Sequence, residues 1–86
     1  MNKERRKLIA EAADLFARAH GMIEDAKSIL QDALDEEQEY FDNMPESLQG
    51  GDKGDMAQSA ISALESAIEA MEGLDDVAGY LDEATA

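Results

Sequence analysis

The chain of 86 residues contains no cysteine, no tryptophan, a single proline and a single histidine. Without cysteine there is no disulfide and no thiolate ligand, and one histidine alone does not supply the ligand set of a structural zinc site. A chain this short buries only a small core and usually needs a staple or a partner. Because disulfides are excluded, the composition favours a protein that pairs with copies of itself.

Long apolar runs are also missing. No run approaches the roughly 18 residues that a membrane span requires. The basic first residues are followed by Leu8, Ile9 and Ala10 and then at once by Glu11. This pattern lacks the apolar middle segment of a secretory signal. We therefore expect a cytoplasmic protein with no membrane partner.

Positive charge is scarce and is concentrated at one end. The formal net charge is −14, from 21 acidic and seven basic residues. Four of the bases lie within the first seven positions, whereas 20 acidic residues but only three basic ones follow from Leu8 onward, and no base follows Gly54. Direct nucleic-acid binding needs clustered lysine and arginine for phosphate contacts. The charge distribution excludes it and favours a basic protein surface as the partner.

A helical repeat dominates the first half of the chain. Its apolar residues form three rows of seven-residue period: Leu8, Leu15, Met22 and Ile29; Ala12, Ala19, Ala26 and Ala33; Ile9, Phe16, Ile23 and Leu30. The first two rows occupy the seam positions of a helix pair, and the third widens the face. This periodicity predicts one helix over about residues 3–40, and its phase continues unchanged across Gly21.

The second half predicts a linker over about residues 41–54 and a second helix over about residues 55–82. Pro45 suits the start of a short helical turn and Gly50 suits its end, while Asp55 and Gln58 form a candidate capping box. The second helix has a 4-3 apolar repeat with a widened face: Ala60, Leu64, Ala67, Met71, Leu74, Ala78 and Leu81, beside Ala57, Ile61 and Ile68.

These elements predict the fold class. We expect a single all-α domain over residues 1–86, built as a hairpin of two long antiparallel helices with a long linker. The apolar face of each helix is too wide for one neighbour. We therefore expect two chains to form a homodimer with the architecture of a four-helix bundle.

Two acidic pairs at helical spacing resemble a magnesium site. Glu36 and Glu39 form an E-x-x-E pair, and Glu72 and Asp75 form an E-x-x-D pair. The combination is similar to the metal-binding pattern of the all-alpha nucleotide pyrophosphohydrolases, and this resemblance implies a magnesium-dependent hydrolase as an alternative function. Such pairs arise readily by chance among 21 acids, and within one hairpin they should lie far apart. We therefore predict that the protein is not an enzyme and has no catalytic residue, cofactor or metal site.

The lone histidine does not form the metal motif of a di-iron bundle. That motif is Glu-x-x-His, and the residue three positions before His20 is Ala17. We expect His20 to lie at the flank of the apolar face of the first helix. There it can pair with Glu24, one turn further along the same helix.

Rows of carboxylates are the most prominent surface feature. One row on the second helix comprises Glu65, Glu69, Glu72, Asp76 and Glu83, and one on the first comprises Glu11, Asp25, Asp32 and Glu39, interrupted by Arg18. The rows are either the solvated face of a purely structural bundle or a surface that imitates a phosphate backbone toward a basic partner. Met44 and Leu48 of the linker either plug the end of the bundle or form an apolar spot for that partner. The candidate partner-binding residues are therefore Glu65, Glu69, Glu72, Asp76, Asp35, Glu36, Glu39, Met44 and Leu48.

The segment EEQEYFDNMPESLQG, residues 36–50, is followed by a helix rich in alanine, glutamate and leucine. It resembles small acidic helical proteins of phages and prophages whose function is unknown. The resemblance implies a mobile-element protein, and small acidic proteins of that origin include DNA mimics and inhibitors of host defence nucleases. We therefore expect a non-catalytic, phage-encoded protein that binds and inhibits a basic, nucleic-acid-binding protein.

Overall fold

The computed structural model describes residues 2–86, and its regular elements are all helical. They are α1 (Lys3–Asp42), α2 (Glu46–Gln49), α3 (Asp52–Glu72), a 3₁₀ turn (Gly73–Asp76) and α4 (Val77–Thr85). The predicted all-α class is confirmed. The molecule is a rod with dimensions of 65 × 17 × 15 Å. None of the described helices is both long and apolar enough to cross a bilayer.

Helix α1 runs through the whole length of the rod. It begins after Asn2, whose side-chain oxygen accepts a hydrogen bond from the backbone N–H of Arg5 at 2.9 Å. This contact satisfies one of the free N–H groups at the start of the helix. The helix then continues for 40 residues without a break at Gly21. The unbroken apolar phase across that glycine therefore predicted a continuous helix correctly.

The rest of the chain folds back along α1 in the antiparallel direction. Near the turn, Tyr40 and Met56 border the same groove. Near the two termini, Ile9 and Leu81 border another. Because residues progressively earlier in α1 meet residues progressively later in the chain, α3 and α4 together form the second arm of a hairpin.

The connection between the arms is shorter than the linker predicted over residues 41–54. Helix α1 extends to Asp42, and α3 already begins at Asp52. The residue before α3, Gly51, takes the N-cap position with an extended backbone (φ −98°, ψ −168°). The candidate capping box of Asp55 and Gln58 therefore lies inside the helix and does not start it.

Hydrogen bonds from one side chain hold the connection before α3 in place. The Gln49 side chain donates hydrogen bonds from Nε2 to the carbonyl oxygens of Phe41 and Met44, both at 3.1 Å. These bonds hold α2 against the end of α1. Gly54, in the first turn of α3, is buried so closely against the backbone of Gln49 that a Cβ atom would overlap it.

The second arm is not the continuous helix predicted over residues 55–82. It is interrupted by the 3₁₀ turn and ends at Thr85, whose hydroxyl donates a hydrogen bond to the carbonyl oxygen of Leu81 at 3.2 Å. The interruption begins at Gly73, and glycine has a low helix propensity. A 3₁₀ helix has about 3.0 residues per turn instead of 3.6. Residues after the turn are therefore rotated relative to the rows of α3.

The core is thin and uses a different row of α1 from the seam predicted. The third row is half-buried and comprises Ile9, Phe16, Ile23 and Leu30. The first row is largely exposed: Leu8 (65%), Leu15 (60%), Met22 (76%) and Ile29 (69%). On α3 the buried residues include Ile61 and Ile68. The third row therefore lies on the side of α1 that faces the second arm, and the first row lies on the side that faces away from it.

Candidate functional site

One side of the hairpin, here called the apolar flank, exposes large hydrophobic side chains. They are between 53% and 76% exposed and comprise Leu8, Leu15, Met22, Ile29, Tyr40 and Met56. Most lie along α1, but Tyr40 shares its groove with Met56 and Ala60 of α3. The apolar flank therefore includes both arms near the turn. It is the part of the wide apolar face that one hairpin leaves uncovered.

The other side of the hairpin is polar and acidic. A groove there is lined by Glu24, Lys27, Ser28, Gln31, Ile68 and Glu72. Gln31 and Ile29 are two residues apart in α1, so their side chains point about 160° away from each other. The groove and the apolar flank therefore lie on different sides of the molecule.

Three carboxylates of the predicted row lie exposed on α3: Glu65, Glu69 and Glu72. Asp76 is also exposed but belongs to the 3₁₀ turn, so its direction differs from that of the α3 row. Among residues 2–86 the salt bridges join Arg18 to Asp14, Lys27 to Glu24, and His20 to two carboxylates. Within that part of the chain, none of the four row residues forms a salt bridge, although Lys27 lines the same groove as Glu72.

The second acidic cluster lies near the end of α1. Asp35, Glu36 and Glu39 are all exposed, and Asp35 accepts a hydrogen bond from Gln31 Nε2 at 3.1 Å. Asp75 lies beside His20, and Glu36 is sixteen residues further along α1, which corresponds to roughly 24 Å. One chain therefore does not bring the E-x-x-E and E-x-x-D pairs into a common site.

The two linker residues have different environments. Met44 is 8% exposed and belongs to the core, whereas Leu48 is 46% exposed. The burial of Met44 favours its interpretation as a plug at the end of the hairpin. Leu48 remains accessible to a partner on the same short connection.

A surface tyrosine is a candidate that the sequence patterns did not single out. Tyr80 is 66% exposed on α4 and borders a shallow depression with Asp76, Gly79 and Glu83. An exposed tyrosine beside carboxylates can supply apolar contact area to a partner at a low entropic cost. Its position beside Gly79, which lies between Asp76 and Glu83 of the acidic row, was the available indication.

His20 connects the two arms on the side of the acidic groove. Its Nε2 is 2.8 Å from Oδ1 of Asp75 and 3.4 Å from Oε1 of Glu24. The ring also stacks on Phe16, with 5.4 Å between the ring centroids and an interplanar angle of 24°. The pairing with Glu24 expected from the sequence is present. The contact with Asp75 was missed because that residue is 55 positions away and no local pattern relates the two.

The electrostatics of this cluster follow from its hydrogen bonds. The hydrogen bond with His20 lowers the pKa of Asp75 from its ordinary value. Lys27 Nζ lies 3.3 Å from Glu24 Oε1, and this hydrogen bond raises the pKa of Lys27. Glu24 Oε1 is thus shared between an imidazole and an ammonium group. The hydrogen bond with His20 favours the ionised form of Asp75.

No protein-family model matches this chain, and no curated protein or solved structure does either. A functional interpretation therefore depends on the surfaces of the hairpin itself. Two features stand out: an apolar flank that the hairpin leaves uncovered, and exposed carboxylates that form no salt bridge among the described residues.

Proposed function

We propose that this is a non-catalytic interaction protein whose exposed carboxylates bind a basic surface of another protein. The observation that carries the proposal is the unpaired row of Glu65, Glu69 and Glu72 on α3. Like charges at this spacing each destabilise their helix by a few tenths of a kcal/mol. A repeated destabilising arrangement without salt bridges among the described residues favours a binding role over a merely solvated surface.

The partner we propose is a protein whose basic groove ordinarily holds nucleic acid. Carboxylates on a rigid helix present fixed negative charge, as a phosphate backbone does, and a basic groove attracts both. Tyr80 and Leu48 supply exposed apolar contacts near the acidic clusters, and such contacts add affinity to electrostatic attraction. In the phage setting that residues 36–50 suggest, such binding would inhibit a host defence protein.

We also propose that the protein works as a homodimer joined through the apolar flank. Alanines at one seam position let two helices approach closely, near the lower end of the usual 8–10 Å between axes. The start of α1 is basic and its last turns are acidic. An antiparallel pair of α1 helices therefore places unlike charges together, whereas a parallel pair places like charges together. Two hairpins joined in this way form a four-helix bundle.

The binding proposal is tested with the immobilised chain and a bacterial lysate. Retained proteins are eluted with increasing salt, and a second sample is challenged with duplex DNA. We expect elution between about 0.1 M and 1 M salt, because the Debye length falls from about 10 Å to 3 Å in that range. DNA should displace the same proteins, since it competes for the same basic groove.

Two matched triple variants separate a specific surface from bulk charge. Glu65→Lys, Glu69→Lys and Glu72→Lys reverse the row on α3, and Glu11→Lys, Asp25→Lys and Asp32→Lys change the net charge equally on α1. We expect the first variant to lose the retained proteins and the second to keep them. Equal retention by both variants would show that the α3 row is only solvated, as in a purely structural bundle.

A further inference from the structure

One imidazole and two carboxylates converge where α1 meets the 3₁₀ turn. Their candidate ligand atoms, Nε2 of His20 and one oxygen each of Glu24 and Asp75, all lie within 4.8 Å of one another. We propose that these three residues bind one divalent transition-metal ion of the zinc class, with water completing its coordination. This proposal does not depend on the acidic-surface function. It departs from the expectation of no metal site, which did not consider a contact between His20 and Asp75 across the two arms.

A proton on His20 cannot satisfy both carboxylates that face it, whereas a metal ion can bind all three groups. One ring nitrogen carries at most one hydrogen, so it cannot make full hydrogen bonds to both carboxylates at once. The contact with Asp75 is a good hydrogen bond at 2.8 Å, but that with Glu24 is longer, at 3.4 Å. A zinc ion bonds nitrogen and oxygen ligands at about 2.0–2.2 Å, which places tetrahedral ligands about 3.3–3.6 Å apart. Small side-chain movements therefore convert the cluster into a coordination shell.

The fold holds these ligands in place from both arms. His20 and Glu24 are four residues apart on α1, a spacing that puts two ligands on one face of a helix. The imidazole is further oriented by its stacking on Phe16. Asp75 comes from the 3₁₀ turn, and a 3₁₀ stretch within a helix often marks a functional position. The site is thus formed by tertiary structure and joins the arms near the middle of the rod.

The ligand set selects the class of ion. One nitrogen and two carboxylate oxygens suit zinc, cobalt or nickel, whereas magnesium prefers oxygen ligands alone. Lys27 opposes the ion, because its ammonium group lies 3.3 Å from the same Glu24 oxygen that faces His20. Metal binding must therefore displace Lys27 from Glu24. Replacing Lys27 by an uncharged residue should therefore strengthen metal binding.

The experiment is calorimetric titration of the chelator-treated full chain with zinc chloride, with the melting temperature measured in parallel. We expect one ion per chain and a rise in melting temperature, because an ion bound only by the folded state stabilises it. His20→Gln and Asp75→Asn should each weaken zinc binding by about tenfold or more. Loss of a direct ligand costs more metal affinity than loss of a residue that only hydrogen-bonds to a ligand. Lys27→Met should strengthen binding by up to about tenfold.

The matched control is Asp35→Asn, which removes an exposed carboxylate from α1 outside the cluster and should leave zinc binding unchanged. Absence of heat and of any melting-temperature shift in the parent chain would overturn the proposal. So would equal weakening by Asp35→Asn and Asp75→Asn, since this would indicate diffuse attraction to an acidic protein. If the ligand variants fold poorly, Lys27→Met still decides, because unchanged or weaker zinc binding in that variant contradicts the arrangement.

Discussion

His20 and Asp75 are joined by a 2.8 Å contact between Nε2 and Oδ1, across 55 positions of sequence. The contact links the middle of α1 to the 3₁₀ turn that separates α3 from α4. It lies on the side of the hairpin that carries the acidic groove, away from the apolar flank. The stability of the hairpin toward acid should therefore depend on this pair.

The pKa of Asp75 is lowered chiefly by its hydrogen bond with His20. A carboxyl with a lowered folded-state pKa stabilises the fold above its ordinary value of 3.8, and this contribution is lost as the pH falls through the folded-state value. Asp75→Asn should therefore be less stable than the parent at pH 7, and the difference should shrink in strong acid. Thermal denaturation of both chains between pH 7 and 2 measures it, with Asp35→Asn as control. A difference that stays constant with pH would contradict the assignment.

Gly54 should tolerate no side chain, because a Cβ atom there would overlap the backbone of Gln49. We expect Gly54→Ala to lower the free energy of unfolding by about 1–3 kcal/mol, as overpacking usually does. Gly79→Ala is the control, since it meets no atom within 4 Å in α4 and should stabilise by up to about 1 kcal/mol. Urea denaturation followed by circular dichroism compares them. Equal effects would show that the close approach to Gln49 does not matter.

Met44 and Leu48 should respond differently to the same substitution. Met44→Ser removes a buried side chain and should cost about 2–5 kcal/mol of unfolding free energy, whereas Leu48→Ser changes a half-exposed one and should cost less than about 1 kcal/mol. The loss of helicity on heating measures both. If Leu48→Ser weakens partner retention without lowering stability, Leu48 belongs to the binding surface. Equal destabilisation by both would make Leu48 a second end plug.

The antiparallel dimer can be tested with single cysteines, because the chain has none of its own. The α1 part of the apolar flank extends from Leu8 to Tyr40 and is centred near residue 24, so Met22 should lie close to its own copy in the partner. The two copies of Leu8 should be roughly 48 Å apart. Met22→Cys should therefore form a disulfide-linked dimer on oxidation, and Leu8→Cys should not. Efficient cross-linking of both would indicate parallel helices, and sedimentation of the parent chain as a monomer at micromolar concentration would remove the dimer.

The helices themselves could be predicted because their evidence is local. The seven-residue rows of the first half specify α1, and the unchanged phase across Gly21 specifies its continuity. The boundaries in the second half could not be predicted in the same way. The start of α3 at Asp52 follows a connection that Gln49 holds by hydrogen bonds to two carbonyl groups, and such contacts leave no periodic pattern.

The candidate site was predicted only in part. The exposure of Glu65, Glu69 and Glu72 follows from their place outside the apolar rows, and the pairing of His20 with Glu24 follows from a spacing of four residues. The burial of Met44 and the exposure of Tyr80 depend on how the connection and α4 pack against α1. Neither position differs from its neighbours in local periodicity.

By itself the sequence determined an acidic, all-helical chain with more apolar surface than one hairpin covers. Which surface stays uncovered was decided only by tertiary structure, because the rows beginning at Leu8 and at Ile9 have the same period and compete for the same second arm. Packing turned the row beginning at Ile9 toward the second arm, where Ile61 and Ile68 are buried, and left the row beginning at Leu8 exposed. The contact between His20 and Asp75 was decided in the same way, since only the folding of one arm against the other brings such distant residues together.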